Sequence, residues 1–157
     1  MFTTRNRFTL AATLLIGSVL GLSSCYENTA NTSTAPIPQP SVQLTATLNG
    51  AQEKPTPVTS PGTGTFTGVI DRTSRVMSYT VTFAGITPTA GHLHRITNAN
   101  GTGGVAIPFA SLTSPIIGTT PTLRQTQIDS MTQGFFYANL HTPAFPAGEI
   151  RGDIRVK

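Results

Sequence analysis

Val42, Leu44, Ala46 and Leu48 alternate with Gln43, Thr45 and Thr47. A period of two puts successive side chains on opposite faces, so this run reads as a strand with one buried face. The same signature returns at intervals too short for helices. Residues 62–70 (GTGTFTGVI) and 75–83 (RVMSYTVTF) flank Asp71-Arg-Thr-Ser74, and together they read as a hairpin with Met77, Tyr79, Val81 and Phe83 on one side. His92 to Ile96, Val105 to Phe109, Gly134 to His141 and Glu149 to Val156 are further short strands. In the last of them Ile150, Ile154 and Val156 supply the apolar positions. Fifteen glycines and twelve prolines punctuate the chain, which excludes a helical bundle.

Between these runs, residues 51–61, 85–91 and 97–104 read as turns or loops, and 110–122 as an irregular Ser/Thr/Pro-rich stretch. Residues 123–133 (LRQTQIDSMTQ) form the single expected helix, with Leu123, Ile128 and Met131 on one face and Gly134 as its C-terminal cap. About seven strands and one helix predict an all-β fold, a two-sheet sandwich or a barrel. Its aromatic core would draw on Phe66, Tyr79, Phe83, Phe109, Phe135, Phe136 and Tyr137.

The front of the chain reads differently. Arg5 and Arg7 precede an uncharged apolar run over residues 8–22, too short for a bilayer span of roughly 20 residues. This is the pattern of a secretory signal. The run ends at Leu22-Ser23-Ser24-Cys25, which resembles the lipobox of bacterial lipoproteins, and Cys25 is the only cysteine. The resemblance implies cleavage after residue 24, acylation of Cys25 and retention in the cell envelope. Tyr26, in place of an aspartate, implies the outer membrane. Residues 25–41 hold almost no large apolar side chain, and Pro36, Pro38 and Pro40 favour an extended tether. The folded domain is then 42–157.

The formal charge is +4, and removal of Arg5 and Arg7 leaves eight basic against six acidic residues, scattered along the chain. A nucleic-acid surface needs a basic patch or stripe, so that partner is excluded. No serine sits in a nucleophile elbow, and the 97–104 loop lacks the lysine and following helix of a phosphate loop. No catalytic residue is assigned.

The order of motifs is more specific than any single one. Leu48-Asn-Gly-Ala-Gln-Glu-Lys-Pro55 comes first, then Gly91-His-Leu-His94, then Tyr137-Ala-Asn-Leu-His-Thr142, and last Pro146-Ala-Gly-Glu-Ile-Arg-Gly-Asp-Ile154. This series resembles the CHRD domain, repeated in chordin and present singly in many exported bacterial proteins. The resemblance covers residues 43–156. CHRD domains in turn resemble Cu/Zn superoxide dismutase, which implies a Greek-key β-sandwich of immunoglobulin-like architecture. For bacterial members the resemblance implies no firm activity. A binding or scaffolding module facing an envelope or extracellular protein or glycan is the reading that follows.

All three histidines of the chain, His92, His94 and His141, fall in those motifs. His92 and His94 are two apart on a strand and share a face. If the strand of His141 is a neighbour, three imidazoles converge, a donor set that suits zinc or copper. Glu149 or Asp153 would then be a fourth ligand or would orient a ring. The other reading is a polar network of His92, His94, Thr142, Glu149 and Arg151 that holds loops together, with Glu53 pairing with Arg151 at the surface. The sequence favours this network and no firm cofactor. A dismutase reading lacks a second histidine cluster, a disulfide and an assignable guiding arginine.

Overall fold

A computed structural model describes residues 40–157. The expected signal segment, Cys25 and nearly all of the tether lie outside the described residues. The chain folds as β1 (Val42–Asn49), a short 3-10 turn (Gly50–Gln52), β2 (Thr63–Asp71), β3 (Val76–Ala84), β4 (Ala90–Arg95), β5 (Val105–Pro108), β6 (Ile116–Thr119), α1 (Gln125–Thr132), β7 (Phe136–His141), β8 (Ile150–Asp153) and β9 (Arg155–Val156).

The alternation in β1 buries Val42, Leu44, Ala46 and Leu48 and turns Gln43 and Thr47 to solvent. β2 and β3 pair in register from Thr63↔Ala84 to Asp71↔Val76. Their turn is fixed by the Asp71 carboxylate, which accepts from the amides of Thr73 and Ser74 at 2.8 and 2.7 Å. α1 ends in a Schellman motif. The amide of Phe135 donates to Ser130 at 2.8 Å and that of Gly134 to Met131 at 3.1 Å, with Gly134 at φ +81°. Glycine adopts that left-handed conformation at little cost, which is why the helix stops there. Leu123, Ile128 and Met131 are buried, as the sequence predicts.

All pairings are antiparallel, in the order β5-β4-β7-β8-β1-β2-β3-β6, with β9 also on β1. β8 returns beside β1, so the end of the domain closes on its beginning. Its link to β1 is the single pair Asn49↔Arg151, so the sheet curls there into two halves. The apolar faces of both halves meet in one core, where Leu44, Phe66 and Met77 join Leu93, Phe136 and Leu140. Truncating a buried phenylalanine such as Phe66 to alanine costs about 3–5 kcal/mol. The all-β, sandwich-like expectation stands.

Four details differ from the sequence reading. There are nine strands among the described residues. Residues 116–119, expected to be irregular, form an edge strand on β3, from Val81↔Ile116 to Ser78↔Thr119. It is four residues long and lies between Pro115 and Pro121, so no periodicity marks it. The last expected strand breaks at Ile154, which is fully buried and donates its amide to Phe136 at 2.8 Å. The break moves the chain from β7 to β1, and it leaves Val156 49% exposed. Phe135 is also 49% exposed rather than core, because the chain leaves the Schellman turn with Phe136 facing inward.

Candidate metal centre

The histidines are placed by strand register. β4 and β7 pair as Ala90↔His141, His92↔Asn139 and His94↔Tyr137, and β8 adds Arg151 opposite Asn139 and Asp153 opposite Tyr137. Directly opposed residues share a face. Leu93, Ala138 and Leu140 therefore fill the core, while His92, His94, His141, Tyr137, Asn139, Arg151 and Asp153 form a polar layer on the other face. Three loops supply its partners: the segment around Glu53, residues 97–104 and residues 142–149.

Within this layer the three imidazoles converge. One ring nitrogen from each lies within 4.8 Å of those of the other two. Nδ1 of His92 is 3.4 Å from Nε2 of His141. Two nitrogens bound to one tetrahedral ion at about 2.0–2.1 Å stand roughly 3.3 Å apart, so this pair fits zinc or copper. The outer nitrogens are held by backbone carbonyls. Nδ1 of His94 meets the Gly103 oxygen at 3.0 Å, and Nδ1 of His141 meets the Pro146 oxygen at 3.1 Å. A carbonyl can only accept, so each Nδ1 carries the proton and each Nε2 presents its lone pair. Nε2 of His94 is buried without a hydrogen-bond partner.

Burial holds all three rings toward the neutral, ligand-competent form. Desolvation lowers the pKa of His92 and His141, and it is the largest cause of the drop of His94 to about 4. The Gly103 carbonyl opposes that drop, and the neighbouring His141, His92 and Arg151 add to it.

Tyr137 braces the layer. His94 stacks on it with centroids 4.8 Å apart and planes 6° from parallel. From the β8 side the guanidinium carbon of Arg151 sits 3.6 Å from the ring centroid. Arg151 is only 1% exposed. Its Nη2 donates to Asp153 Oδ1 at 2.8 Å and to the Gly101 carbonyl at 2.8 Å, and Nε also reaches Asp153 at 3.2 Å. These bonds and Lys54, Arg155 and Arg151 charges outweigh desolvation and keep the Asp153 pKa low.

The acidic residues considered as ligands are committed elsewhere. Glu149 Oε2 accepts from Thr142 at 2.6 Å and Oε1 accepts from Ser60 at 2.6 Å, which clamps loop 142–149. Asp153 serves Arg151. Neither carboxylate hydrogen-bonds an imidazole, and the groups that orient the rings are the carbonyls of Gly103 and Pro146. The expected polar network is thus two networks, one around Arg151 and one around Glu149. Glu53 corrects the surface-pair expectation. It is 4% exposed and forms no salt bridge with Arg151, because the 3-10 turn after β1 folds it inward. Tyr137, expected in the aromatic core, instead lies on this polar face with Asn139, since both alternate with His141 in the run Tyr-Ala-Asn-Leu-His. Ser60, Gly103 and Pro146 carry no local signal, since their roles depend on loop closure.

A family model for the CHRD domain matches residues 44–154, which spans every strand of the polar layer. No curated protein matches the chain, and no solved structure does.

Proposed function

The chain belongs to the CHRD domain family, and from that premise we propose a lipid-anchored binding module of the bacterial cell envelope that holds zinc or copper on His92, His94 and His141. The anchor is acylated Cys25, the membrane is the outer one, and residues 25–41 hold the domain away from it. The reading of the anchor rests on the lipobox-like Leu22-Ser-Ser-Cys25 after the short apolar run. A partner protein or glycan of the envelope or the surroundings meets the domain.

One observation carries the metal assignment. A buried imidazole nitrogen without a partner costs about 1–3 kcal/mol, and His94 Nε2 is such an atom beside two more imidazoles. An ion would supply a Lewis acid or, as copper, a one-electron centre. The protein's own part is to hold and orient. Gly103 and Pro146 fix two tautomers, and Tyr137 covers one face of His94.

A second reading follows from the same carbonyl bonds. His94 pins loop 97–104 and His141 pins loop 142–149 whether or not an ion is bound. Elemental analysis of the full-length protein, made without a histidine tag, separates the two. One equivalent of zinc or copper per chain supports the metal reading. Metal-free protein that takes up neither ion on dialysis against them leaves the loop-holding role alone.

A further inference from the structure

The basic residues are scattered in sequence, but the fold gathers half of them where the chain enters the domain. Of the eight lysines and arginines in residues 40–157, Lys54, Arg151 and Arg155 are tied to Asp153. Arg72, Arg75, Arg124 and Lys157 are exposed, and none of them forms a salt bridge among the described residues. Their neighbourhood is set by register and backbone bonds. Val42, the first residue of β1, pairs with Ile70, so the turn that holds Arg72 and Arg75 stands beside it. The Arg75 carbonyl accepts from the Leu123 amide at 2.8 Å, which brings Arg124 to the same turn. The Lys157 amide donates to Gln43 at 3.0 Å, and Lys157 and Arg72 line one hollow with Pro40 and Ser41.

Two carboxylates, those of Asp71 and Asp129, belong to the same turn and to α1, so four cations against two anions leave this end positive. The other acids of the domain lie toward the opposite end of β1. Glu53 follows the turn after Asn49, and Glu149 and Asp153 flank Arg151, the partner of Asn49. At about 3.3 Å per residue, β1 sets the two ends roughly 23 Å apart.

We propose that the positive end docks on anionic phospholipid headgroups, so that the domain stands end-on to its membrane. This rests on the reading of Cys25 as the lipid anchor, because the tether from that residue joins the domain at this end. Each cation near an acidic lipid surface favours contact about five-fold. Such contacts are weak alone, and the anchor supplies the high local concentration that lets them act together. The row Asn49–Arg151–Asn139–His92 places the histidine layer at the far end, away from the lipid.

The test is time-resolved fluorescence transfer to headgroup-labelled lipid from a dye on Thr73→Cys, which separates docked from free domains. The acylated full-length protein is reconstituted in phosphatidylcholine vesicles with and without phosphatidylglycerol. Docking is expected in the anionic vesicles alone at about 0.1 M salt, and its loss at about 1 M. Arg72→Gln/Arg124→Gln, which changes two exposed side chains, should lower the docked-to-free ratio about 30-fold. A dye on Ala147→Cys, in the far loop, should show the lower transfer. Equal docking on neutral vesicles, undiminished docking in the folded double variant, or stronger transfer from position 147 than from 73 overturns the proposal while the anchor stands. Protein that does not stay with the vesicles overturns the anchor and the proposal with it. Should the double variant fail to fold, wild-type docking that persists at about 1 M salt overturns the proposal.

Discussion

His92 and His141 bring ring nitrogens to 3.4 Å of each other although 49 residues separate them in the chain. The meeting is a product of register. Ala90↔His141 and His92↔Asn139 are successive same-face pairs of β4 and β7, so the two rings lie diagonally across the ladder. His94, two residues on, completes the group. The hydrophobic alternation that buries Leu93 and Leu140 is also what turns these three imidazoles to the opposite face.

Arg151 is the keystone of the layer next to them. Arg151→Met keeps much of the volume but removes the cation from the Tyr137 ring, two bonds to Asp153 and the donor to Gly101. Asp153 retains Lys54 and Arg155 at 3.4 Å, which limits the damage. Urea unfolding should show a loss of about 2–3 kcal/mol. A loss below about 0.5 kcal/mol, the scale of an ordinary surface change, would show that these contacts do not stabilise the fold.

Glu53 and His94 should pull the pH dependence of stability in opposite directions. Glu53 has a folded pKa near 7, above its ordinary 4.5, because burial disfavours the charged form more than Arg151, the Lys54 amide and Asn139 favour it. Its contribution is complete below pH 4.5 and is lost as pH rises through 7. His94 runs the other way: its folded pKa, near 4, lies below its ordinary 6.5. Its contribution is complete above pH 6.5 and is lost as pH falls through 4. In metal-free buffer with chelator, Glu53→Gln should remove the loss of stability between pH 4.5 and 7 and leave stability rising with pH. Melting curves that keep the wild-type slope there would refute the assignment to Glu53.

The anchor has its own test. Cys25→Ser should move the protein from the membrane fraction to the soluble envelope fraction and abolish labelling by radioactive palmitate. Continued membrane association of the unlabelled variant would place the attachment elsewhere.

Much of this fold is legible in the sequence because most of its strands are half-buried and alternate cleanly. β1, β2 and β3 are of that kind, and so is the helix with its Leu123, Ile128 and Met131 face. β6 is not, since Ile116 is buried and Ile117 is 71% exposed in a strand of four residues between prolines. The three histidines were legible as a set from residue type and spacing. What oriented them was not. The Gly103 and Pro146 oxygens are backbone atoms brought in by loops, and no side-chain pattern records them. Glu53 read as a surface residue because nothing local shows that the turn after Asn49 folds back. Its burial depends on Asn139 and Gly148, far along the chain.

Metal binding by His92, His94 and His141 can be read directly from thermal stability. The most direct measurement is the melting temperature of the tag-free full-length protein with chelator and with one equivalent of each ion, alongside His92→Ala/His94→Ala. A ligand that binds only the folded state at 100-fold above its dissociation constant adds about 2.7 kcal/mol. A clear upward shift is expected in the wild type with at least one of the two ions, and none in the double variant. Equal melting temperatures with and without either ion, in a wild type that is more stable than the variant, would contradict it and make the histidines holders of loops.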